Sequence, residues 1–193
     1  MSTKLKIAAA VAAAVLLSAC SSPKHEPMPL VKFTPSMEVT EVWSKGLSSA
    51  EGFLVPAVYD DMVFAAGGKT LTRLNARTGE TEWSVSFNSP ITGGVGSDGY
   101  VTAVGLWDGN LEVVDAEGKV SWEKKLTTEL ASPPVVSHGL VIARTMDTRV
   151  SAFEASSGEL QWTYQRSQPA LTVRLPTRML AHDNFLLVGQ PNG

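Results

Sequence analysis

Four of the five tryptophans in this 193-residue chain stand at nearly equal intervals: Trp43, Trp83, Trp122 and Trp162 are 40, 39 and 40 residues apart. A fixed period of this size restricts the fold to architectures that set one supersecondary unit beside another. Three of the tryptophans also share their surroundings. "LNARTGETEW" (Leu74 to Trp83), "VDAEGKVSW" (Val114 to Trp122) and "FEASSGELQW" (Phe153 to Trp162) each hold an apolar residue, then Asn, Asp or Glu, then Ala, a turn glycine, and Trp four residues after it. The glycines are Gly79, Gly118 and Gly158, residues suited to a backbone position of positive φ.

Each unit contains further turn and strand signals in a constant order. A first turn at Asp60-Asp61, Asp98-Gly99, His138-Gly139 and Asp183-Asn184 precedes the β-rich runs "MVFAA", "YVTAV", "LVIAR" and "FLLVG". A second turn at Gly67-Gly68, Asp108-Gly109 and Asp147-Thr148 precedes "LTRL", "LEVV" and "VSAF". Four short strands in about forty residues make a four-stranded antiparallel blade, and its repetition predicts an all-β chain folded as a β-propeller. "EVTEVWSKG" (Glu38 to Gly46) has the tryptophan without three strands before it, so it reads as an outermost strand that closes a final blade. The expectation for residues 38–193 is a closing strand, three blades and half a fourth, about half of a longer ring, with exposed sheet edges that invite aggregation or partner pairing.

The first residues follow another logic. Lys4 and Lys6 precede an apolar run, Ile7 to Leu17, that is too short for a stable membrane-spanning helix and reads as an export signal. It ends in Leu17-Ser18-Ala19-Cys20, which resembles the lipobox of bacterial lipoproteins and implies cleavage of residues 1–19, thioether lipidation of Cys20 and acylation of its new amino group. The alternative is an ordinary secretory cleavage site beside an incidental cysteine. Cys20 is the only cysteine, so the chain cannot form an internal disulfide, and an anchor is the more economical use for it. Residues 20–37 hold four prolines and read as a lipidated cysteine followed by a flexible tether.

Loss of residues 1–19 removes two lysines and no acid, moving the formal charge from −3 to −5. That balance argues against nucleic acid as a partner. His25 falls in the tether, while His138 and His182 fall in or beside first turns, where solvent exposure is the expected state. The sequence has no phosphate-cradling glycine loop and no paired Cys/His spacing for zinc, and Asp60-Asp61 is an ordinary turn pair. No catalytic residue, metal, cofactor or small-molecule substrate is assigned.

The "NARTGETEW" pattern resembles the tryptophan-docking repeat of the quinoprotein-like eight-bladed propellers, in which Trp packs against the neighbouring blade. This resemblance implies eight blades for the complete ring. It also supplies an alternative function, a lipid-anchored periplasmic quinone-dependent dehydrogenase with calcium. Such enzymes commonly rely on a vicinal cysteine pair, and this chain has a single cysteine.

One connection breaks the repeat. From Trp to the next first turn the spacing is 18, 16 and 17 residues, then 22 from Trp162 to Asn184, and the extra length lies across "RSQPALTVRLPT". Aligned on the turn, Arg178 to Ala181 form the next innermost strand in place of Pro133 to Val136, so the alternating Leu171, Val173 and Leu175 lie in an inter-blade loop. From the residues alone, this loop either packs its apolar side chains between blades or presents them to a partner. Lipobox, tether, orphan "VW" strand, tryptophan repeats and this loop together resemble the BamB family, propeller lipoproteins of the machinery that assembles outer-membrane β-barrels. In that family the loop reads Leu-x-Leu-Arg and contacts a periplasmic POTRA domain of the central barrel subunit, BamA. Leu171, Val173 and Arg174 match it, with Val in place of the second Leu. The resemblance thus implies a non-enzymatic scaffold at the periplasmic face of the outer membrane, an address with which Ser21 after the lipidated cysteine agrees.

Overall fold

The computed structural model describes residues 28–31, 33, 36–48, 54–166 and 177–189. The chain divides into two units, Met1–Thr40 and Glu41–Gly193. In the first, the described residues are exposed and form neither helix nor strand. Among the described residues of the whole chain, no helix is long and apolar enough to cross a membrane.

The second unit is a partial β-propeller. Blade 1 comprises β1 (Ala57–Tyr59), β2 (Met62–Gly67), β3 (Thr70–Asn75) and β4 (Thr81–Ser86), and blade 2 comprises β5 (Ile91–Ser97), β6 (Thr102–Leu106), β7 (Asn110–Val114) and β8 (Val120–Lys125). Blade 3 comprises β9 (Val135–Ser137), β10 (Leu140–Arg144), β11 (Arg149–Glu154) and β12 (Leu160–Gln165), and β13 (Leu180–His182) pairs with β14 (Phe185–Leu187). Every blade is an antiparallel meander with its strands in chain order. The innermost strands β1, β5, β9 and β13 line a cavity of about 560 Å³.

The two middle strands of each blade are apolar on both faces because each blade is covered on both sides. On β6, Val104 and Leu106 join the core shared with Phe64, Ala66 and Leu71 of blade 1. Ala103, next to Val104, faces the other way into the core shared with Val141, Ala143 and Phe153 of blade 3. Ile142 and Val150 of blade 3 continue the pattern against Met179, Leu186 and Val188 beyond it. The core is thus a series of slabs between blades, and the outer strands β4, β8 and β12 are mostly exposed.

Tryptophan side chains tie the first two of these slabs at the rim. The Nε1–H of Trp83 donates to the Ala116 carbonyl of blade 2 at 2.9 Å, and that of Trp122 to the Ala155 carbonyl of blade 3 at 2.8 Å. Trp43 does the same to Ala76 of blade 1 at 2.9 Å. Each indole also lies flat against the turn glycine of the unit it grips. A Cβ on Gly79, Gly118 or Gly158 would sit 2.6 to 2.7 Å from the Cδ2 of Trp43, Trp83 or Trp122, closer than any side chain can approach. These glycines have φ of 73°, 81° and 70°, so both backbone conformation and contact exclude a side chain. The Asn or Asp of the motif sets this turn: the Asn75 side chain accepts from the backbone N–H of Arg77 and Thr78, and Asp115 from Glu117 and Lys119.

Several expected details shift. The described residues at 38–48 form no strand although Trp43 docks, because a strand needs a ladder partner and no described strand supplies one. The second turn of blade 1 falls on Gly68 and Lys69, with Gly67 ending β2. The innermost strand expected at Arg178 to Ala181 lies at Leu180–His182, in register with the first turn in the manner of Val135–Ser137 of blade 3.

Candidate functional site

In an antiparallel meander the second turn and the connection to the next blade emerge at the same end, so these segments share one face of the propeller. The connections differ in length. From the end of the outer strand to the next first turn there are 12 residues from Ser86 to Asp98, 13 from Lys125 to His138 and 18 from Gln165 to Asp183. The second of these is laid down tightly. Leu130 is buried in the core between blades 2 and 3, and Pro133 and Pro134 rest on β5, where a Cβ on Gly94 or Gly96 would meet Pro133 Cγ at 2.7 Å or Pro134 O at 2.0 Å. The glycines of "ITGGVGS" therefore exist to seat the neighbouring connection.

The third connection is anchored at both described ends. On the outgoing side the Thr148 hydroxyl lies 2.9 Å from the Arg166 carbonyl. On the returning side Arg144 Nη1 donates to Thr177 Oγ1 at 2.7 Å, and Thr177 Oγ1 in turn lies 3.4 Å from the Gly189 carbonyl. Both anchors come from the β10–β11 hairpin, so one turn of blade 3 holds the two feet of the connection. Leu171, Val173 and Arg174 stand between these feet and lie outside the described residues, as does Cys20.

The hairpin that supplies the anchors departs from its counterparts. Thr148 is 5 % exposed and has φ of 64°, whereas blade 2 has Gly109 at the same place with φ of 84°. Asp147 before it stays readily ionised: burial opposes its charge, but hydrogen bonds from the Thr145 and Thr127 hydroxyls and the Arg149 backbone, with the Arg149 charge, outweigh burial and lower its pKa. Arg144 is 6 % exposed, and burial alone lowers its pKa. Its Nε is buried without a hydrogen-bond partner, and among the described residues no carboxylate pairs with it.

Chemistry of other kinds is sparse. Among the described residues no group of three or more His, Cys, Asp or Glu side chains could hold a metal ion. His138 and His182 are exposed at first turns, His138 with φ of 53°, and Asp61 is engaged by Arg77 at 3.0 Å. Trp83 and Trp122 bridge blades as described, while Trp162 on β12 has no such acceptor among the described residues and is 39 % exposed.

One acid was not singled out by the sequence. Glu112 on β7 is 7 % exposed and stands opposite Glu123 on β8. Burial first, then the charge and hydrogen bond of Glu123 and the charge of Asp108, push its pKa up to about 7. The same place holds a hydroxyl pair elsewhere: Thr72 with Ser84 at 3.0 Å in blade 1, and Ser151 with Thr163 at 3.2 Å in blade 3.

A family profile described as "Outer membrane protein assembly factor BamB" matches residues 67–193. Two proteins of that name are similar over most of the chain. That of Burkholderia pseudomallei is 37% identical over 191 residues, 96% of this chain and 50% of the relative, and that of Bordetella pertussis is 33% identical, covering 92% of this chain and 48% of the relative. Among solved structures, BamB from Moraxella catarrhalis superposes with a TM-score of 0.60 at 27% identity, over 67% of this chain and 40% of that one. The computationally designed Ika8 protein matches in fold alone, with a TM-score of 0.59 at 15% identity over 72% of this chain and 42% of that one. The chain spans about half the length of the curated relatives it matches.

Proposed function

The chain belongs to the BamB family, whose members are named outer membrane protein assembly factors, and we propose that the protein of which it is a part works in that assembly as a non-enzymatic scaffold. Cys20 carries the lipid anchor, residues 20–37 are the tether, and the propeller from residue 38 onward stands at the periplasmic face of the outer membrane, with Trp43 marking the strand that closes the ring. The propeller docks through the connection after blade 3 onto the POTRA region of the barrel subunit BamA. Leu171 and Val173 supply apolar area, worth roughly 25 cal/mol per Å² removed from water. Arg174 supplies a planar, multi-donor group for a carboxylate or carbonyl oxygens.

The observation that carries this reading is the connection itself. It is the longest of the three, and its two described ends are held by one hairpin of blade 3; connections on a scaffold of this kind are where binding commonly sits. Replacing both contacts, Leu171→Ala with Arg174→Ala, in the full-length protein is expected to abolish co-purification with BamA and to leave the circular dichroism melt unchanged. Retained co-purification overturns the proposal, and a collapsed melt assigns the two residues to packing between blades.

A further inference from the structure

The slab between blades 2 and 3 can be matched residue for residue with the slab between blades 1 and 2. Lys124 pairs with Leu111 as Val85 pairs with Leu71, so Lys124 stands where the first slab has Val85. The Leu126 N–H donates to the Gly109 carbonyl as the Phe87 N–H donates to the Lys69 carbonyl, so Leu126 stands in place of Phe87. Ala143, paired with Ser151, replaces Val104, paired with Glu112. Thr145, bridged to Leu130, replaces Leu106, paired with Ile91.

In the first slab Phe87, Val104 and Leu106 are buried in the core and Val85 packs against it. In the second, three of these four positions hold smaller side chains and the fourth holds a cation. The space given up is a groove of about 320 Å³ lined by Lys124, Leu126, Ala143 and Thr145 together with Arg149 and Phe153. Nearby exchanges balance, since Phe64 gives way to Ala103 where Val114 gives way to Phe153, but these four do not. Unfilled core volume forfeits contacts and stability, so four exchanges converging on one spot mark a place kept open. Ala143 and Phe153 make an apolar floor, buried in the core between the blades, with Leu126 packed against it. The charge around that floor is mainly positive. Lys125 donates to the Asp108 carbonyl, and Arg149 donates to Gln165 Oε1 at 3.1 Å and lies 3.7 Å from Asp147 Oδ2. The Lys124 ammonium has no ion pair among the described residues. Asp147 thus offsets one of the three cations that line the groove, Lys124, Lys125 and Arg149.

We propose that this groove binds a small amphiphilic carboxylate, a short hydrocarbon body with one anionic head. The body lies on Leu126, Ala143 and Phe153, where its burial removes apolar surface from water. The head meets Lys124, which supplies an uncommitted charge, and Arg149, which supplies a planar multi-donor fork. The volume stands at the lower end of the roughly 300–1,000 Å³ usual for ligand sites, which limits the body to a short chain. The site is separate from the connection after blade 3 and does not rest on the docking reading.

Isothermal titration calorimetry of the full-length protein with octanoate tests the site. Octylammonium serves as the same chain with the opposite charge, and acetate as the head without the chain. Octanoate is expected to bind at a single site, and the other two at least tenfold more weakly. Lys124→Gln should weaken octanoate binding about tenfold, the loss of one charge-assisted contact. Leu126→Phe with Ala143→Val writes the first slab's residues into the second; it should abolish binding while the thermal melt holds or rises. Absence of octanoate binding by the parent overturns the proposal. Equal binding of octanoate and octylammonium also overturns it, as adsorption to apolar surface alone. Octanoate binding that survives both Lys124→Gln and the filling variant places the ligand elsewhere and refutes the groove. Should the filling variant fail to fold, Ala143→Val alone takes its place: parent-like binding by it and by Lys124→Gln refutes the site.

Discussion

Glu112→Gln changes one atom's protonation and leaves the shape of blade 2 intact, so its effect on stability can be worked out from the structure. Glu112 faces Glu123 across β7 and β8, and its pKa in the folded protein is about 7 against an ordinary 4.5. The folded state therefore holds a proton that the unfolded chain releases. Stability contributed by that proton is complete below the unfolded value of 4.5 and is lost as pH rises through 7. A shift of this size corresponds to ~3 kcal/mol at full strength. Glu123 is exposed, so solvent screens the pair, and about half, ~1.5 kcal/mol, is the expected effect. Glutamine keeps a hydrogen-bond donor toward Glu123 and never ionises. In urea titrations of the full-length protein, Glu112→Gln should match the parent near pH 5 and exceed it by ~1.5 kcal/mol near pH 8, the comparison cancelling all other titrations. Writing the blade 1 pair into blade 2, Glu112→Thr with Glu123→Ser, should likewise flatten the dependence between these two pH values. A parent-to-variant difference that is the same at both pH values would refute the assignment of a proton to this pair.

Two further substitutions probe the blade junctions. Gly118→Ala places a Cβ 2.7 Å from the Trp83 ring at φ of 81° and should lower stability by ~2 to 4 kcal/mol, with Trp83 fluorescence shifting to the red as the indole leaves its seat; an unshifted spectrum and an unchanged melt would contradict the contact. Trp122→Phe keeps the ring against Gly158 but removes the donor to the Ala155 carbonyl, and a loss of ~1 to 2 kcal/mol in denaturant unfolding is expected; no loss would mean that the hydrogen bond contributes nothing net.

The blade plan was legible because the junction demands three coincidences at once: an indole, a carbonyl 33 residues on, and a glycine shortly after it. Trp83 bonds the Ala116 carbonyl and leaves no room for a Cβ on Gly118, so the period is written in residues that align from unit to unit. The first turns were legible for a similar reason, since Asp60, His138 and Asp183 all adopt positive φ. Other features were hidden. Nothing near Glu112 in the chain announces that Glu123 will stand opposite it, because cross-strand pairing depends on the bulge between Val113 and Val114. Gly93, Gly94 and Gly96 look like a weak strand until Leu130, Pro133 and Pro134 are seen resting on them. The long connection was visible as a length anomaly, yet the bonds that hold its two described ends were not. The available signal was small: Thr148 where blade 2 has Gly109, and an arginine ending the apolar run "LVIAR".

The tryptophan junction also has a direction. Each blade reaches forward to grip the next and is gripped from behind, so the two sides of a blade are not interchangeable. Trp43 fills the Ala76 and Gly79 seat of blade 1 as a stopper fills a socket, and a strand from another molecule gains access to that seat only by evicting it.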